Sequence, residues 1–358
     1  MAEIITKKDR FDYIDFAKAI GMLTIMWGHI AIGKSVAFVY TFHIPLFFFL
    51  SGMVFVKDKY KDFGSFVKRR IQSLIIPYFI YSFITWAIWA VFSYATHANV
   101  ESYWMPLLQT FIAQGSEGYL VHNVPLWFVT CLFVIELAYY WFAKLPDVWN
   151  VILCIALAVA GYVLVNYCTF FDFTALPWSI EVAMMALIFY AMGNLFVKYI
   201  GHHTFKDFVL KRQTISVVTV IALFVITYWA GQINGQVSMG HANVHNPFLF
   251  YPISYVGLFA MLGFCMLLSC WLKETKIGGG IKWFGKNSFI AMSIHNPIKG
   301  FVIVALSAFF KMEKMTIMRG TWTAILALLI TLVVTVSIMI IIVWLKRMWA
   351  NQKKVKKI

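Results

Sequence analysis

The feature that most constrains the fold is a series of apolar stretches, each close to the length that crosses a lipid bilayer. A transmembrane helix needs about 20 predominantly apolar residues. Only 13% of the residues are charged, against about a quarter in soluble domains. The sequence therefore predicts an all-α, polytopic transmembrane helical bundle, folded as a single domain over residues 1–358. The ten predicted spans are 11–32, 36–56, 73–95, 124–142, 149–166, 175–197, 214–231, 248–272, 288–310 and 322–344.

The distribution of basic residues predicts the orientation of this bundle, because cytoplasmic loops of membrane proteins are enriched in Lys and Arg. With the N-terminus inside, the inner segments carry 24 of the 30 Lys and Arg residues, and the outer segments carry four. Both termini are therefore predicted to be cytoplasmic. The net charge of +15 is attributed to loops that face anionic lipid, and no nucleic-acid partner is expected. Lys311 and Lys314 fall outside, so the last two spans fit this rule least well. The basic residues 7–10 precede no small-residue cleavage site, which favours a retained first span over a signal peptide.

The first two predicted spans hold Asp15, Lys18, His29 and His43 among their ionisable residues. Ionisable groups are costly in hydrocarbon and are retained mainly where they function. Lys18 and His29 are eleven residues apart, which is almost a whole number of helical turns. Their side chains therefore share one helix face at depths that differ by about 16 Å, and they can line one path at two levels.

The two histidines are the candidates for proton transfer. A neutral imidazole accepts a proton from a hydroxyl near physiological pH, so His29 is the candidate general base; the alternative is a histidine that only packs. A hairpin fold places His43 about one turn deeper. Pro45 frees the Thr41 carbonyl and predicts a kink there. His43 then either joins the cavity or only satisfies the backbone that the kink exposes.

The basic residues Lys18 and 68–70 can each be interpreted in two ways. Asp15 and Lys18 are spaced as an ordinary ion pair at the membrane boundary, or Lys18 holds an anionic cosubstrate at the inner mouth of the cavity. The basic residues 68–70 are either a topology signal or a phosphate-binding cluster, since guanidinium groups bind phosphate bidentately.

Three acids or histidines lie in later spans: Glu136, Glu181 and His295. A buried carboxylate such as Glu181 can orient a catalytic imidazole. Any of the three can instead pair with Lys18 or Lys299 for structure, and the sequence does not decide between these partners.

Two other classes of protein were considered. A transporter of a sugar, lipid or organic anion is the main alternative, but the chain shows no repeated halves. A haem or metal protein would use His29, His43, His122 and His295, whose spacing does not pair them. The five cysteines lack CxxC spacing, so neither disulfides nor a zinc site is predicted. The outer segments 96–123 and 232–247 are predicted to be an amphipathic surface run and a polar loop.

At these residues the chain resembles the acyltransferase-3 family of integral membrane acyltransferases, which O-acylate carbohydrates and related acceptors. The basic residue, ten intervening positions and histidine of that family match Lys18 and His29. Its apolar hairpin matches residues 42–52, which include His43. The further matches are Arg69, Arg70 and Pro77, then residues 126–128, and then residues 285–288 followed by His295.

The resemblance implies transfer of an acyl group from acetyl-CoA, or another short acyl-CoA, to a hydroxyl of a cell-surface or lipid-linked carbohydrate. His29 would be the general base or an acyl relay, and no metal is expected. The location implied is a cell membrane, most naturally the bacterial cytoplasmic membrane, in contact with lipid. Some members of that family carry a fused extracytoplasmic hydrolase-like domain, and none is expected here. The chain is therefore expected to pass the acyl group directly to its acceptor or to a separate envelope-glycan enzyme. The residues assigned on this basis are His29, His43 and Glu181 for catalysis, Lys18, Arg69, Arg70 and Asp15 for the donor, and Trp127, Ser288 and His295 for the substrate.

Overall fold

The structure of the protein, a computed structural model, describes residues 11–116, 118–168 and 176–355, with side chains up to residue 352. The predicted basic lead at 7–10 and the first residue of the predicted span 175–197 lie outside the described residues. The first eight α-helices are α1 (Asp12–Ile30), α2 (Lys34–Tyr40), α3 (His43–Met53), α4 (Phe63–Arg70), α5 (Ile76–Ala95), α6 (Met105–Ile112), α7 (Trp127–Phe142) and α8 (Asp147–Tyr167). The next eight are α9 (Ile180–Tyr199), α10 (His202–Leu210), α11 (Gln213–Asn234), α12 (Pro247–Trp271), α13 (Lys276–Lys286), α14 (Ser288–Phe310), α15 (Lys314–Arg319) and α16 (Thr321–Val355). Short 3-10 turns cover Lys57–Lys59, Val124–Leu126, Pro177–Ser179 and Met239–His241, and a π-helical turn covers Ile71–Ile75.

The described residues contain no strand, and nine of their helical segments are long and apolar enough to cross a membrane. These findings confirm the predicted all-α bundle of a multi-pass membrane protein. Helix α1 has 19 residues, the length of a tenth span, but it carries Asp12, Asp15 and Lys18. It packs against α3, α12, α13 and α14, so it lies inside the bundle. Asp15 is accordingly only 1% exposed.

Helices α5, α8, α11 and α16 lie at the periphery of the bundle. Each presents large apolar side chains on its outer surface, for example Ile84, Val159, Val218 and Ile341. Such surfaces destabilise a protein in water but suit contact with lipid chains. The apolar core instead surrounds α1, α3, α7, α9 and α12.

The predicted span 36–56 is broken into two helices at Thr41 and Phe42. This confirms the kink that Pro45 predicts, since proline cannot donate the hydrogen bond to the Thr41 carbonyl. The freed carbonyl oxygen of Thr41 accepts a hydrogen bond of 2.7 Å from Ser254 Oγ on α12. The break is therefore stabilised by a neighbouring helix.

Several predicted spans are shorter than the helices that contain them. The span predicted at 73–95 belongs to a continuous helical segment that begins at Phe63. Asp62 caps it by accepting from Ser65 N at 2.7 Å, and Ser65 Oγ accepts in return from Asp62 N. The last helix likewise continues past residue 344. The hydropathy of the sequence marks only the part of a helix that lies in lipid, and these ends extend beyond it as basic, water-facing helix.

Three short helices, α10, α13 and α15, were not predicted. Helix α13 contains the run Gly278–Gly280 (residues 278–280), and glycine disfavours helix by about 1 kcal/mol per residue. The helix forms because Thr275 Oγ1 accepts from Gly278 N at 2.9 Å. A Cβ on Gly285 would overlap the Asp15 carbonyl oxygen, so this glycine allows α13 to contact the α1 backbone.

In the outer segment 96–123, α6 forms with exposed apolar side chains, which confirms the predicted amphipathic helix.

Two glycines allow a close helix crossing in the core, between α3 and α9. A Cβ on Gly52 would overlap the carbonyl oxygen of Tyr190, and a Cβ on Gly193 would overlap that of Phe49.

We expect Gly52→Ala to lower the free energy of unfolding by about 1–3 kcal/mol, the usual effect of overpacking. Thermal unfolding of the purified protein in detergent measures it.

Gly300→Ala is the matched control, since this glycine also lies in a membrane helix and a Cβ there meets nothing within 4 Å. Its stability should be unchanged or higher, because alanine favours helix over glycine. Equal losses in the two variants would show that the crossing does not depend on glycine.

Candidate functional site

The site begins with two histidines from different helices. The ring centroids of His29 and His295 lie 5.5 Å apart, at an interplanar angle of 42°. His295 is fully buried, and its Nδ1 donates to the carbonyl oxygens of Ala291 and Met292 at 3.1 and 2.9 Å. Its Nε2 therefore carries a lone pair, and this atom has no partner among the described residues. The structure thus brings two predicted site residues together.

A narrow cavity of about 40 Å³ lies beside His29. Met22, Ile25 and His29 of α1 line one wall, and Lys18 continues the same helix face by its spacing. The helix is continuous between Lys18 and His29, as the predicted shared face requires. The predicted substrate residue Trp127 is part of the lining. The other lining residues are Ile44, Phe47, Pro125, Phe128 and Met292.

Trp127 is held from the outer side by two loops. A Cβ on Gly115 or on Gly240 would come within 2.9 or 2.8 Å of its indole. Gly240 belongs to the polar loop 232–247, whose apolar residues Val237 and Val244 are each 1% exposed. The loop is therefore packed over the cavity and does more than connect two spans.

Tyr40 connects His43 with the part of α1 that carries His29. The Tyr40 and His43 rings make a T-shaped contact with centroids 4.8 Å apart, and the Tyr40 hydroxyl donates to the Gly28 carbonyl oxygen at 3.2 Å. His43 Nδ1 donates to the Val39 carbonyl oxygen at 2.6 Å, which satisfies backbone beside the kink. The structure supports both readings of this residue, and a catalytic role stays a prediction.

Lys299 was not among the predicted site residues, but it follows His295 by one turn of α14 and therefore lies on the same face of that helix. In a low-dielectric site, a nearby cation stabilises negative charge that develops on a reacting oxygen. A lysine in a predicted span was the available signal, but the sequence could not show which histidine it approaches.

The other predicted carboxylates have structural partners. Glu181 Oε2 accepts from Leu176 N at 2.9 Å, which closes the turn before its own helix. Glu136 pairs with Arg70, Oε2 to Nε, at 2.9 Å, and not with either of the lysines that the sequence suggested. Tyr190 Oη also lies 3.5 Å from Glu136 Oε1. Orientation of an imidazole by Glu181 stays a prediction.

A second, larger cavity of about 650 Å³ lies at the inner end of α3 and beside α4. It is basic, because Lys59, Lys61, Arg69 and Arg70 all line it. Arg69 is exposed, whereas Arg70 is engaged by Glu136 and lies over the Phe66 ring at 5.3 Å. The sequence analysis counted Lys59 and Lys61 only as topology signals. The remaining lining residues are Val54, Val56, Tyr60, Ser65 and Ser73.

One face of α3 runs from the histidine cavity toward the basic cavity. Ile44 and Phe47 line the histidine cavity, and Val54 lines the basic cavity. With Ser51 between them, these residues recur every three or four positions, so they share a helix face that is about 15 Å long. The Ser51 hydroxyl donates to the Phe47 carbonyl oxygen at 2.8 Å.

Two predicted site residues lie away from the histidine pair. Ser288 begins α14, seven residues before His295, and is therefore about 10 Å deeper. Asp15 is buried where α1 meets α13. His122, considered above as a ligand, is hydrogen-bonded to Thr85 and Thr110 at 3.0 and 3.3 Å. Within the described residues, no group of three His, Cys, Asp or Glu side chains is placed to hold a metal ion.

Comparison with known proteins gives one match. A family model described as an acyltransferase domain matches residues 11–344, which is nearly the whole chain. No curated protein and no solved structure gives a significant match.

Proposed function

The chain belongs to the acyltransferase-3 family, and on that premise we propose that it is an O-acyltransferase that moves a short acyl group, usually acetyl, from acyl-CoA to a carbohydrate hydroxyl. The observation that carries the proposal is the pair His29 and His295 at a cavity whose α1 face continues to Lys18. We place the enzyme in the bacterial cytoplasmic membrane, with a cell-surface or lipid-linked glycan as acceptor.

The donor is proposed to bind with its nucleotide and phosphates in the basic cavity. Lys59, Lys61 and Arg69 supply the positive charge there, and ionised hydrogen bonds to phosphate are the strong ones. The acyl-pantetheine arm would then follow the α3 face past Ser51 toward His29. Arg70 contributes less to the donor than the sequence suggested, because Glu136 already neutralises it.

The chemistry assigned to His29 is proton transfer in an acyl exchange. As general base it takes the proton of the acceptor hydroxyl while the hydroxyl oxygen attacks the thioester carbonyl carbon. The C–S bond breaks and the CoA thiolate leaves. As acyl relay, the His29 nitrogen attacks first and the acceptor oxygen then takes the acyl group. Both roles need an unengaged ring nitrogen, and among the described residues the His29 ring makes no hydrogen bond.

Binding of tritiated acetyl-CoA to purified protein tests this donor site. We expect Arg69→Glu combined with Lys61→Glu to weaken binding by about a hundredfold, which corresponds to about 2.7 kcal/mol for two lost charge-assisted contacts. Lys206→Glu in α10 is the control, since it changes an exposed lysine outside the cavity. Equally weak binding in the control would show that the loss comes from the change in net charge and not from this cavity. Wild-type protein that binds no short acyl-CoA would contradict the proposal.

A further inference from the structure

Two threonines in the last helix carry buried hydroxyls without a partner among the described residues, as Ser82 of α5 also does. Thr331 and Thr335 are both 0% exposed, and neither Oγ1 atom has a partner among the described residues. A threonine in a helix usually bonds to the carbonyl four residues earlier. Other Ser and Thr residues of the described helices do so, for example Thr41, Ser51, Thr85, Thr227, Ser293 and Ser337. A buried hydroxyl without a partner is costly, so its persistence needs an explanation.

The packing of α16 on α14 shows where these hydroxyls lie. Ala324 and Ala327 pack in one cluster with Val302 and Leu306 of α14. Thr331 and Thr335 continue the alanine face toward the inner side, about 6 and 12 Å beyond Ala327.

On the facing helix, Lys299 and His295 continue the same face as Val302 and Leu306. They lie about 4.5 and 10.5 Å beyond Val302. The two helices run in opposite directions through a short connection, so the register brings Thr331 to the level of Lys299, and Thr335 to that of His295. Three polar atoms without a partner among the described residues therefore lie along the α14–α16 interface, which is called the seam below: the two hydroxyls and His295 Nε2.

A groove of about 490 Å³ runs beside the seam, between α5, α14 and α16. Its lining is apolar, and its residues Ile294 and Ile298 adjoin His295 and Lys299 in sequence. Ile84 and Ile88 on its rim are 50% and 44% exposed. All three helices are membrane spans, so this groove opens toward lipid hydrocarbon and not toward water.

We propose that α14 and α16 bind a lipid-anchored acceptor, with its hydrocarbon chain in the groove and its hydroxylated head group at Thr331, Thr335, Lys299 and His295. This inference rests on the proposed function and names its acceptor class. The threonine hydroxyls donate or accept, the lysine donates, and His295 Nε2 accepts. Together they match a ligand rich in hydroxyl groups. The groove lets that ligand enter from the bilayer, beside the His29 ring.

The test is photo-crosslinking in host membranes, with no acyl-CoA added. A benzophenone amino acid replaces Phe301, which lines the groove and is 38% exposed, or Phe83 of α5, which lies outside it and is 41% exposed. Mass spectrometry identifies the attached lipids. We expect lipids with glycosylated head groups to be enriched at position 301 by about tenfold over position 83, the ratio that one hydrogen bond supports.

The variant Thr331→Val with Thr335→Val should abolish that enrichment. It should leave thermal stability unchanged or raise it, because it removes two buried hydroxyls without partners. Thr227→Val is the control, since Thr227 is buried and bonds to the Leu223 carbonyl at 2.7 Å, and it should keep the enrichment. Adducts that match the bulk phospholipid at both positions, or an enrichment that survives in the valine variant, would overturn the proposal. Because no donor is present, this readout does not depend on acyl transfer.

Discussion

His29→Ala is expected to lower the rate of acyl transfer from acetyl-CoA by about 10³-fold, within the usual contribution of a general base. The His29 ring faces a narrow cavity and lies 5.5 Å from the His295 ring. Alanine removes the nitrogen that takes the acceptor proton or carries the acyl group. Binding of acetyl-CoA should change little, because the basic cavity lies at the other end of the α3 face.

The rate is measured as CoA thiol released in the presence of host membranes that contain the acceptor. His203→Ala, which changes an exposed histidine at the inner side, is the control and should keep the wild-type rate. A His29→Ala variant that retains more than about half of the rate would remove this residue from the chemistry, since even a weak general base contributes about a hundredfold.

The second large effect concerns the pair of Arg70 and Glu136. The Glu136 side chain is 5% exposed and that of Arg70 is 20% exposed. Removing one partner of such a pair leaves a buried charge, so Arg70→Ala should lower the free energy of unfolding by about 3 kcal/mol. The apolar pair Arg70→Met with Glu136→Leu should recover most of that loss, because it removes both charges together.

Lys198→Ala is the control for an exposed ion pair, that of Lys198 with Asp147. The lysine side chain is 53% exposed, and the variant should change stability by less than about 1 kcal/mol. Thermal and chemical unfolding in detergent measure all these variants. If Arg70→Ala instead leaves stability unchanged and weakens acetyl-CoA binding, Arg70 belongs to the donor site, as the sequence suggested.

Much of the fold could be predicted because the bilayer imposes a length on each span. The hydropathy pattern indicated the helices and the all-α class, and Pro45 indicated the break at Thr41. The ends at Phe63 and Val355 could not be predicted this way, because they are helix in an aqueous setting. Helix α13 was missed because its glycines disfavour helix locally, and its contact with α1, at Gly285, is tertiary.

The site was predicted in part. The eleven-residue spacing predicted that Lys18 and His29 share one face of α1, and the structure brings Trp127 and His295 together with His29. The roles of these residues stay predictions. Pairings between distant helices could not be read from the chain. The sequence left Lys18 and Lys299 as possible partners of Glu136 without deciding between them, and its partner in the structure is Arg70. Thr331 and Thr335 gave no signal, because two threonines in an apolar run look like any others until their hydroxyls are found unpaired.

Transfer of an acyl group from CoA to a hydroxylated acceptor is tested most directly with acetyl-CoA that carries separate labels in its acetyl group and its nucleotide. It is supplied to acceptor-containing membranes with wild-type or His29→Ala protein at matched levels. We expect acetyl label to enter the glycan or glycolipid fraction only with wild-type protein, in equal amount to the free CoA released, while nucleotide label stays out. Free CoA and acetyl label that are the same in both membranes, or absent from both with every short acyl-CoA, would contradict it.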